Sequence, residues 1–226
     1  MSSITLWMAP GTCARVTAIS LEEAELEFDT ELIRFMKGQH KSPEYRTVNP
    51  KGKVPALVID GEALTENLAI LTYLNERYPE ANLLPPARDS MTRARQLADL
   101  SFCAATLHPI ATRIRIPTFF ASKEAAKSVW ESACGAMDEY FRLIEDRLDG
   151  KPWWYGDNWS VMDAYLYWIY WRVEGAGYAV GDFNNYQAHK SRMENRPAVQ
   201  RALARENEAL AQLEKEGLVF TPSKPD

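Results

Sequence analysis

The chain has 226 residues, 46% of them hydrophobic, with 26 Lys and Arg against 31 Asp and Glu and a net charge of −5. That is enough apolar material for one large or two small domains, and the acidic balance lacks the basic footprint of a nucleic-acid binder. No apolar stretch is long enough to span a bilayer, the first residues have no basic secretory n-region, and Cys13, Cys103 and Cys134 form neither a CxxC nor a metal-ligand spacing; a cytoplasmic protein without a bound metal is expected.

The first eighty residues alternate between strand and helix patterns. Ile4 to Met8 is short and apolar, a strand that Pro10-Gly11 ends. From Cys13 to Leu26 the apolar residues Val16, Ile19 and Leu21 recur at helical spacing. Phe28 to Ile33 is a second strand, and the polar stretch Lys37 to Asn49 holds one short helix near Pro43. Val54 to Ile59 is a buried-strand pattern, and Asp60-Gly61 after it is a hairpin signal because a type I′ turn needs positive φ. Glu62 to Leu64 returns as a strand. Thr65 is expected to cap a helix whose Ile70, Leu71, Leu74 and Tyr78 share one face. The order is β-α-β-α-β-β-α over residues 1–79. Residues 80–88, rich in proline, read as a linker.

Residues 89–226 read as helical. Asp89 or Ser90 starts a long helix on which Ala94, Leu97, Ala98, Ser101, Ala105 and His108 form one stripe. Ser122 to Leu148 is another. Ser160-Val-Met-Asp163 has the spacing of a capping box with Asp in place of Glu or Gln, and it opens the nearly all-apolar run Ala164 to Val173, a buried core helix. Arg196-Pro197 breaks the chain before a last helix through about Leu213. Thr221 to Asp226 reads as a frayed tail.

Several residues carry chemistry by type and place. Cys13 follows a strand and a Pro-Gly turn and opens a helix, where unsatisfied N–H groups and a partial positive charge favour a thiolate; it reads equally as a small packing residue. Position 16 is valine, so there is no thioredoxin-type dithiol. Val54-Pro55 opens an apolar run; a cis bond there offers the Val54 backbone to a peptide-like ligand, and a trans edge-strand proline is the alternative. Glu66-Asn67 at a helix start has groups for both ends of an amino acid, an ammonium on Glu66 and a carboxylate on Asn67 and the helix N–H groups, although Glu in a first turn is also ordinary. Lys37, His40 and Lys53 are loop cations suited to a second carboxylate or to plain solvation. His108 lines a pocket or sits satisfied in a core.

Lys37-Gly-Gln-His40, Val48-Asn-Pro-Lys-Gly-Lys-Val-Pro-Ala-Leu57, Leu64-Thr-Glu-Asn-Leu-Ala-Ile70 and Trp154-Tyr-Gly-Asp-Asn-Trp-Ser-Val-Met-Asp-Ala-Tyr165, in that order, make the chain resemble a cytosolic glutathione transferase over residues 3 to 210. Pro10-Gly-Thr-Cys13 is similar to the bacterial beta class, and Lys37-Gly-Gln-His40 to the theta class. The resemblance implies an α/β thioredoxin-like N-terminal domain, an all-α helical C-terminal bundle, a homodimer and a cis bond before Pro55. It implies glutathione as co-substrate, with its cysteinyl unit on Val54, its γ-glutamyl end on Glu66 and Asn67, and its glycine carboxylate facing His40, Lys53 and Lys37. It further implies Cys13 or Thr12 beside the glutathione sulfur and His108 in an electrophile site, where Phe119 is a candidate wall by residue type. Phe120 is a further candidate wall there, while Trp168 and Trp171 read as core. Two residues depart from the family pattern: Asn67 stands where serine is usual, and Ser101 where the beta class has asparagine in a cross-subunit contact. The implied activity is conjugation or thiolysis of small hydrophobic electrophiles. Disulfide reduction or deglutathionylation through Cys13, and a non-enzymatic binding module, are the alternatives.

Overall fold

In the computed structural model, which describes residues 3–221, the first strand β1 (Ile4–Met8) buries Ile4, Leu6 and Met8 and leaves Thr5 and Trp7 half-covered, the period-2 pattern of a strand with one face on a core. Helix α1 (Ala14–Glu23) carries the chain to β2 (Asp29–Leu32), which pairs parallel with β1, as a βαβ crossover requires. Two short 3₁₀ turns, Phe35–Lys37 and Gln39–Lys41, precede α2 (Pro43–Val48), where Ser42 accepts the Tyr45 N–H and Pro43 takes a first-turn position that needs no N–H donor. Strands β3 (Ala56–Ile59) and β4 (Glu62–Thr65) complete an antiparallel hairpin, giving the sheet order β2-β1-β3-β4. Asp60 and Gly61 in its turn both have positive φ, 50° and 88°, as expected for a two-residue I′ hairpin.

Helix α3 (Asn67–Arg77) follows, and its cap differs from the sequence expectation. Thr65 pairs with Ala56 at the end of the β ladder, so it cannot turn to cap. Glu66 stands at the N-cap position with φ 75° and ψ 122°, and its side chain caps nothing.

The described chain divides into two units, each compact in itself: the residues up to Leu83 together with Asn195–Phe220, and Leu84–Glu194 with Thr221. The first unit thus takes in the last helix, α9 (Pro197–Lys215), which the sequence reading grouped with the helical C-terminal part. α9 packs on α1, and charge pairing fixes it there: Arg201 and Arg205 both meet Glu22, Arg196 meets Glu23, and Arg15 meets Glu206. Such pairing between distant segments leaves no mark in helical periodicity.

The second unit is helical. Asp89 caps α4 (Ser90–Ser101) through the Thr92 N–H at 2.7 Å. The helix continues through a π-helical stretch, Phe102–Leu107, into α5 (His108–Arg115); Pro109, which has no N–H to give the preceding turn, lies just beyond the stretch. Its buried stripe is Gln96, Leu100, Cys103 and Leu107, whereas Ala94, Leu97, Ala98 and Ala105 are exposed. Leu100, Cys103 and Leu107 gain from area removed from water, and Gln96 is buried because its side-chain amide donates to the Pro85 carbonyl at 2.6 Å, while Leu97 faces outward. α6 (Ala126–Leu148) is amphipathic, and α7 (Val161–Glu174) is buried from Val161 to Tyr170. Asp163 Oδ2 accepts the Ser160 N–H at 2.9 Å, while Oδ1 accepts the Trp154 N–H at 2.8 Å and lies 3.0 Å from His189 Nε2. The capping aspartate therefore also ties the preceding loop and α8 (Asn184–Glu194) to the core helix. Of the tail, Pro222–Asp226 lie outside the described residues. No described helix is long and apolar enough to cross a membrane.

Candidate active site

Three segments of the first unit converge around Cys13: the β1–α1 loop, the residues before β3, and the start of α3. Cys13 is the N-cap of α1, with φ −65° and ψ −5°, and its Sγ lies 3.6 Å from the Val54 carbonyl oxygen. The Val54–Pro55 bond is cis, as the resemblance implied. Just before it, the Lys53 carbonyl accepts both the Tyr45 hydroxyl at 2.5 Å and the Asn49 side-chain amide at 2.7 Å. Burial pushes the Tyr45 phenol up to about 12, so it stays a proton donor to that carbonyl at any ordinary pH. Tyr45 and Asn49 hold the chain from behind while Val54 stays half-exposed.

Thr12 and Cys13 are adjacent but not equivalent. The Thr12 hydroxyl donates to the Ala9 carbonyl at 2.6 Å, and its oxygen lies 3.4 Å from the Ala14 N–H. Both hydrogens are donated to backbone carbonyls, that of Thr12 within its own loop and that of Cys13 across to Val54, but the Cys13 contact is the longer one and its thiol is half-exposed. The loop is anchored at Gly11, whose N–H donates to Glu206 Oε1 at 2.8 Å, and Glu206 takes two further bonds from Arg15 at 2.6 and 2.9 Å.

Glu66 projects from the start of α3 at positive φ and pairs with Lys51 Nζ at 2.6 Å, both exposed. A non-glycine residue at such φ costs of order 1–3 kcal/mol and persists only where its surroundings hold it. Because Glu66 does not cap the helix, the first-turn N–H groups of α3 present a partial positive charge suited to a carboxylate. The Asn67 side chain is directed elsewhere: it is buried, accepts the Thr17 hydroxyl at 2.7 Å and donates to the Cys13 carbonyl at 2.9 Å. This differs from the expectation of a side-chain amide gripping a ligand carboxylate, since both ends of the amide are engaged within the protein.

The cations expected to act together are separated in kind. His40 stacks at 4.7 Å on Phe35, its Nδ1 is buried without a hydrogen-bond partner among the described residues, and burial, reinforced by Lys41, Lys53 and Arg46, lowers its pKa. Lys53 is exposed. Lys37 is drawn toward Glu216, 3.8 Å away, which Arg34 already grips at 2.6 and 2.7 Å. In the second unit, His108 Nδ1 lies 3.3 Å from the Tyr165 hydroxyl and its ring meets Trp168 edge-on at 4.6 Å. Trp168 is core and Trp171 half-covered, while Phe119 is 69% exposed with Phe120 beside it. No group of three or more His, Cys, Asp or Glu among the described residues could hold a metal ion.

Residues 2–76 match the family model of the glutathione S-transferase N-terminal domain, and residues 107–197 that of the C-terminal domain. The chain belongs to the glutathione S-transferase family. It is 29% identical to glutathione S-transferase GstA of Escherichia coli O157:H7, over 89% of this chain and 98% of that protein. A sphingomonad glutathione S-transferase complexed with glutathione is 31% identical with a TM-score of 0.78, over 90% of this chain and 98% of the other. The bacterial beta class enzyme of Sphingomonas chungbukensis matches at 31% identity and a TM-score of 0.78, over 89% and 98%. The sheet of the first unit is accordingly the thioredoxin-like sheet of the family, and the second unit its helical part.

Lys51, inside the Val48–Leu57 motif, pairs with Glu66, a role that a loop lysine does not announce in sequence. The supports of the site are as silent. Tyr45 and Asn49 lie close to it in sequence, but Thr17 and Glu206 have no local signal, since their partners lie on other elements.

Proposed function

We propose that this chain is a glutathione transferase that activates the glutathione thiol beside Cys13 and transfers the thiolate to a small hydrophobic electrophile. The observation that carries this reading is the approach of Cys13 Sγ to the Val54 carbonyl at 3.6 Å, next to the uncapped start of α3. A γ-glutamyl tripeptide suits that arrangement end by end. Its cysteinyl unit pairs with the half-exposed Val54 backbone at Pro55, which puts its sulfur near Cys13. Its γ-glutamyl carboxylate takes the first-turn N–H groups at Asn67, and its ammonium takes Glu66 in competition with Lys51. Its glycine carboxylate is left for His40 and Lys53, with Lys37 a more distant charge because Glu216 attracts it.

Hydrogen bonding to the thiolate and the field of a helix N-terminus both favour ionised sulfur. Cys13, at the N-cap of α1, supplies the donor by turning its S–H from the Val54 carbonyl to the glutathione sulfur, and Thr12 supports the loop. The thiolate then attacks the electrophile: an S–C bond forms and the leaving group departs with its electron pair. His108 and Phe119 of the helical unit are the proposed electrophile contacts, with Phe120 next to them. Residues 1–79 are the proposed glutathione-binding domain, 80–88 the linker and 89–226 the helical domain, with α9 returning to pack on α1. A cytoplasmic homodimer fits the sparse cysteines and the exposed Met91, Leu97 and Leu143 on α4 and α6.

The test is Cys13→Ala, assayed for conjugation of an aryl halide and for reduction of a glutathione mixed disulfide. A fall of about 10-fold or more in conjugation at neutral pH, in the range of a lost catalytic proton-transfer or hydrogen-bonding group, is expected. Equal retention of both activities would remove Cys13 from the chemistry. Loss of disulfide reduction alone, with conjugation retained, would confine Cys13 to a reductase activity and take it out of the conjugation step.

A further inference from the structure

Thr17, buried in the middle of α1, places its hydroxyl 2.7 Å from Asn67 Oδ1, and Asn67 Nδ2 lies 2.9 Å from the carbonyl oxygen of Cys13. The polarity of this chain is fixed by its end. A carbonyl can only accept, so the amide must turn its NH₂ toward Cys13; that leaves Oδ1 facing Thr17, whose hydroxyl must donate. Thr17 is 0% exposed and Asn67 5% exposed, so neither is drawn off into water. The Cys13 carbonyl also accepts the Val16 N–H at 3.1 Å. Its peptide plane is therefore held from α1 and from α3 together.

We propose that Asn67 is a positioning residue for the thiol chemistry: its buried amide, oriented by Thr17, sets where Cys13 Sγ stands relative to the Val54 carbonyl. The inference rests on the glutathione-transferase reading and assigns Asn67 a part in it distinct from gripping the ligand with its side chain. The Sγ–Val54 separation is a distance between two loops. One is fixed at Lys53 by Tyr45 and Asn49. The other is fixed at Cys13 by Asn67, with Gly11 tied to Glu206 further back. Release of the Cys13 carbonyl leaves its φ and ψ, and hence the direction of its Cα–Cβ bond, with one support fewer on the side that faces the glutathione sulfur. Because Asn67 is the first residue of α3, the same residue couples the γ-glutamyl end of the site, through its backbone, to the sulfur end, through its side chain.

The experiment compares Asn67→Ala, Asn67→Asp, Thr17→Val and the double Asn67→Ala/Thr17→Val variant with the wild type in the full chain. Glutathione binding is read by calorimetry, and aryl-halide conjugation by kcat, KM and pH–rate profile. Asn67→Ala is expected to lower kcat by about 10- to 100-fold, the scale of an ångström-sized misplacement of a reacting group. Glutathione Kd should stay within about 3-fold, because the ligand-facing group there is the backbone, while the acidic limb of the pH–rate profile moves upward. Asn67→Asp, isosteric but unable to donate to Cys13, should behave as Asn67→Ala does. Thr17→Val should show a smaller fall in kcat, and the double variant should be no worse than Asn67→Ala, since both act through one chain. If Asn67→Ala does not fold, the isosteric Asn67→Asp and Thr17→Val carry the same comparison. A loss confined to glutathione affinity would make the side chain a ligand and overturn the proposal. Unchanged kcat and pH profile, or additive losses with Thr17→Val, would overturn it as well. A wild-type chain that neither binds glutathione nor conjugates would sink the transferase reading itself, an outcome distinct from any of these.

Discussion

The two sides of the proposed glutathione site are built on opposite principles. The sulfur side, around the half-exposed Cys13, is joined by hydrogen bonds to buried partners from segments far away in sequence: Asn67 from α3, and Glu206 from α9 with Arg15. The rim that faces the ligand's charged ends is exposed, and its cations lie on loops; Lys51 and Glu66, for example, pair with 48% and 65% of their side chains in water. The difference follows from what each side must do. A reacting sulfur needs a position fixed to a fraction of an ångström, which only buried, directional partners supply. A carboxylate or ammonium end is attracted over several ångströms, so long side chains in water suffice.

The strongest way to break the contrast is to remove Glu206. It is 7% exposed, Arg15 is 3% exposed, and the carboxylate also takes the Gly11 N–H. Glu206→Ala leaves a buried guanidinium and a buried N–H without that partner and should cost about 3–5 kcal/mol of unfolding free energy, measured in urea. Replacing Arg15 and Glu206 together with methionines should cost clearly less than Glu206→Ala alone, because no charge is then stranded. A loss below 1 kcal/mol for Glu206→Ala would mean that the sulfur side is as loosely held as the rim.

The same contrast explains what could be read from sequence. The β-α-β-α-β-β-α order was legible because strand and helix periods differ, and Asp60-Gly61 marked its own turn. Cys13, Val54-Pro55 and Glu66 could be picked out as candidates because a helix start, a proline and an acidic residue each carry a local chemical meaning, and the structure brings their segments together. Glu206 was not, since nothing in α9 marks one glutamate among several as the partner of a loop near the N-terminus. Asn67 was legible in place and misread in direction: its residue type suggested a ligand contact, and only packing shows the amide turned inward to Thr17 and Cys13. The buried stripe of α4 was misplaced by following alanines instead of Leu100, Cys103 and Leu107.

A second prediction sharpens the comparison from the rim. Gly52 has φ 63°, and a Cβ there would stand 2.7 Å from the His40 carbonyl oxygen. The rim's backbone is therefore closely packed even though its charges are not. Gly52→Ala should cost about 2 kcal/mol, the left-handed penalty of roughly 1–2 kcal/mol plus the shift of a neighbouring backbone. By separating His40 from Lys53 it should also weaken glutathione binding in calorimetry more than Lys53→Ala does. The reverse order would make the Lys53 charge, and not the backbone, the organiser of the rim.

The smallest expected effect is a pH dependence of the rim at His40, whose folded-state pKa is lowered by burial and by the charges of Lys41, Lys53 and Arg46. Between the folded value and the ordinary value near 6.5, the unfolded chain binds the proton that the folded chain refuses. The contribution is therefore fully present above about 6.5 and declines as pH falls, until the folded pKa is passed. His40→Gln should remove that slope and leave stability at pH 8 nearly unchanged, as urea titrations of both proteins at several pH values would reveal. Glutathione acts in the opposite direction. In the proposed site a carboxylate beside His40 would favour the imidazolium, so binding is expected to raise the His40 pKa and to take up a fraction of a proton. Calorimetry in two buffers of different ionisation enthalpy measures that uptake. Its absence in the wild type would move the glycine carboxylate away from His40 and leave it to Lys53 alone.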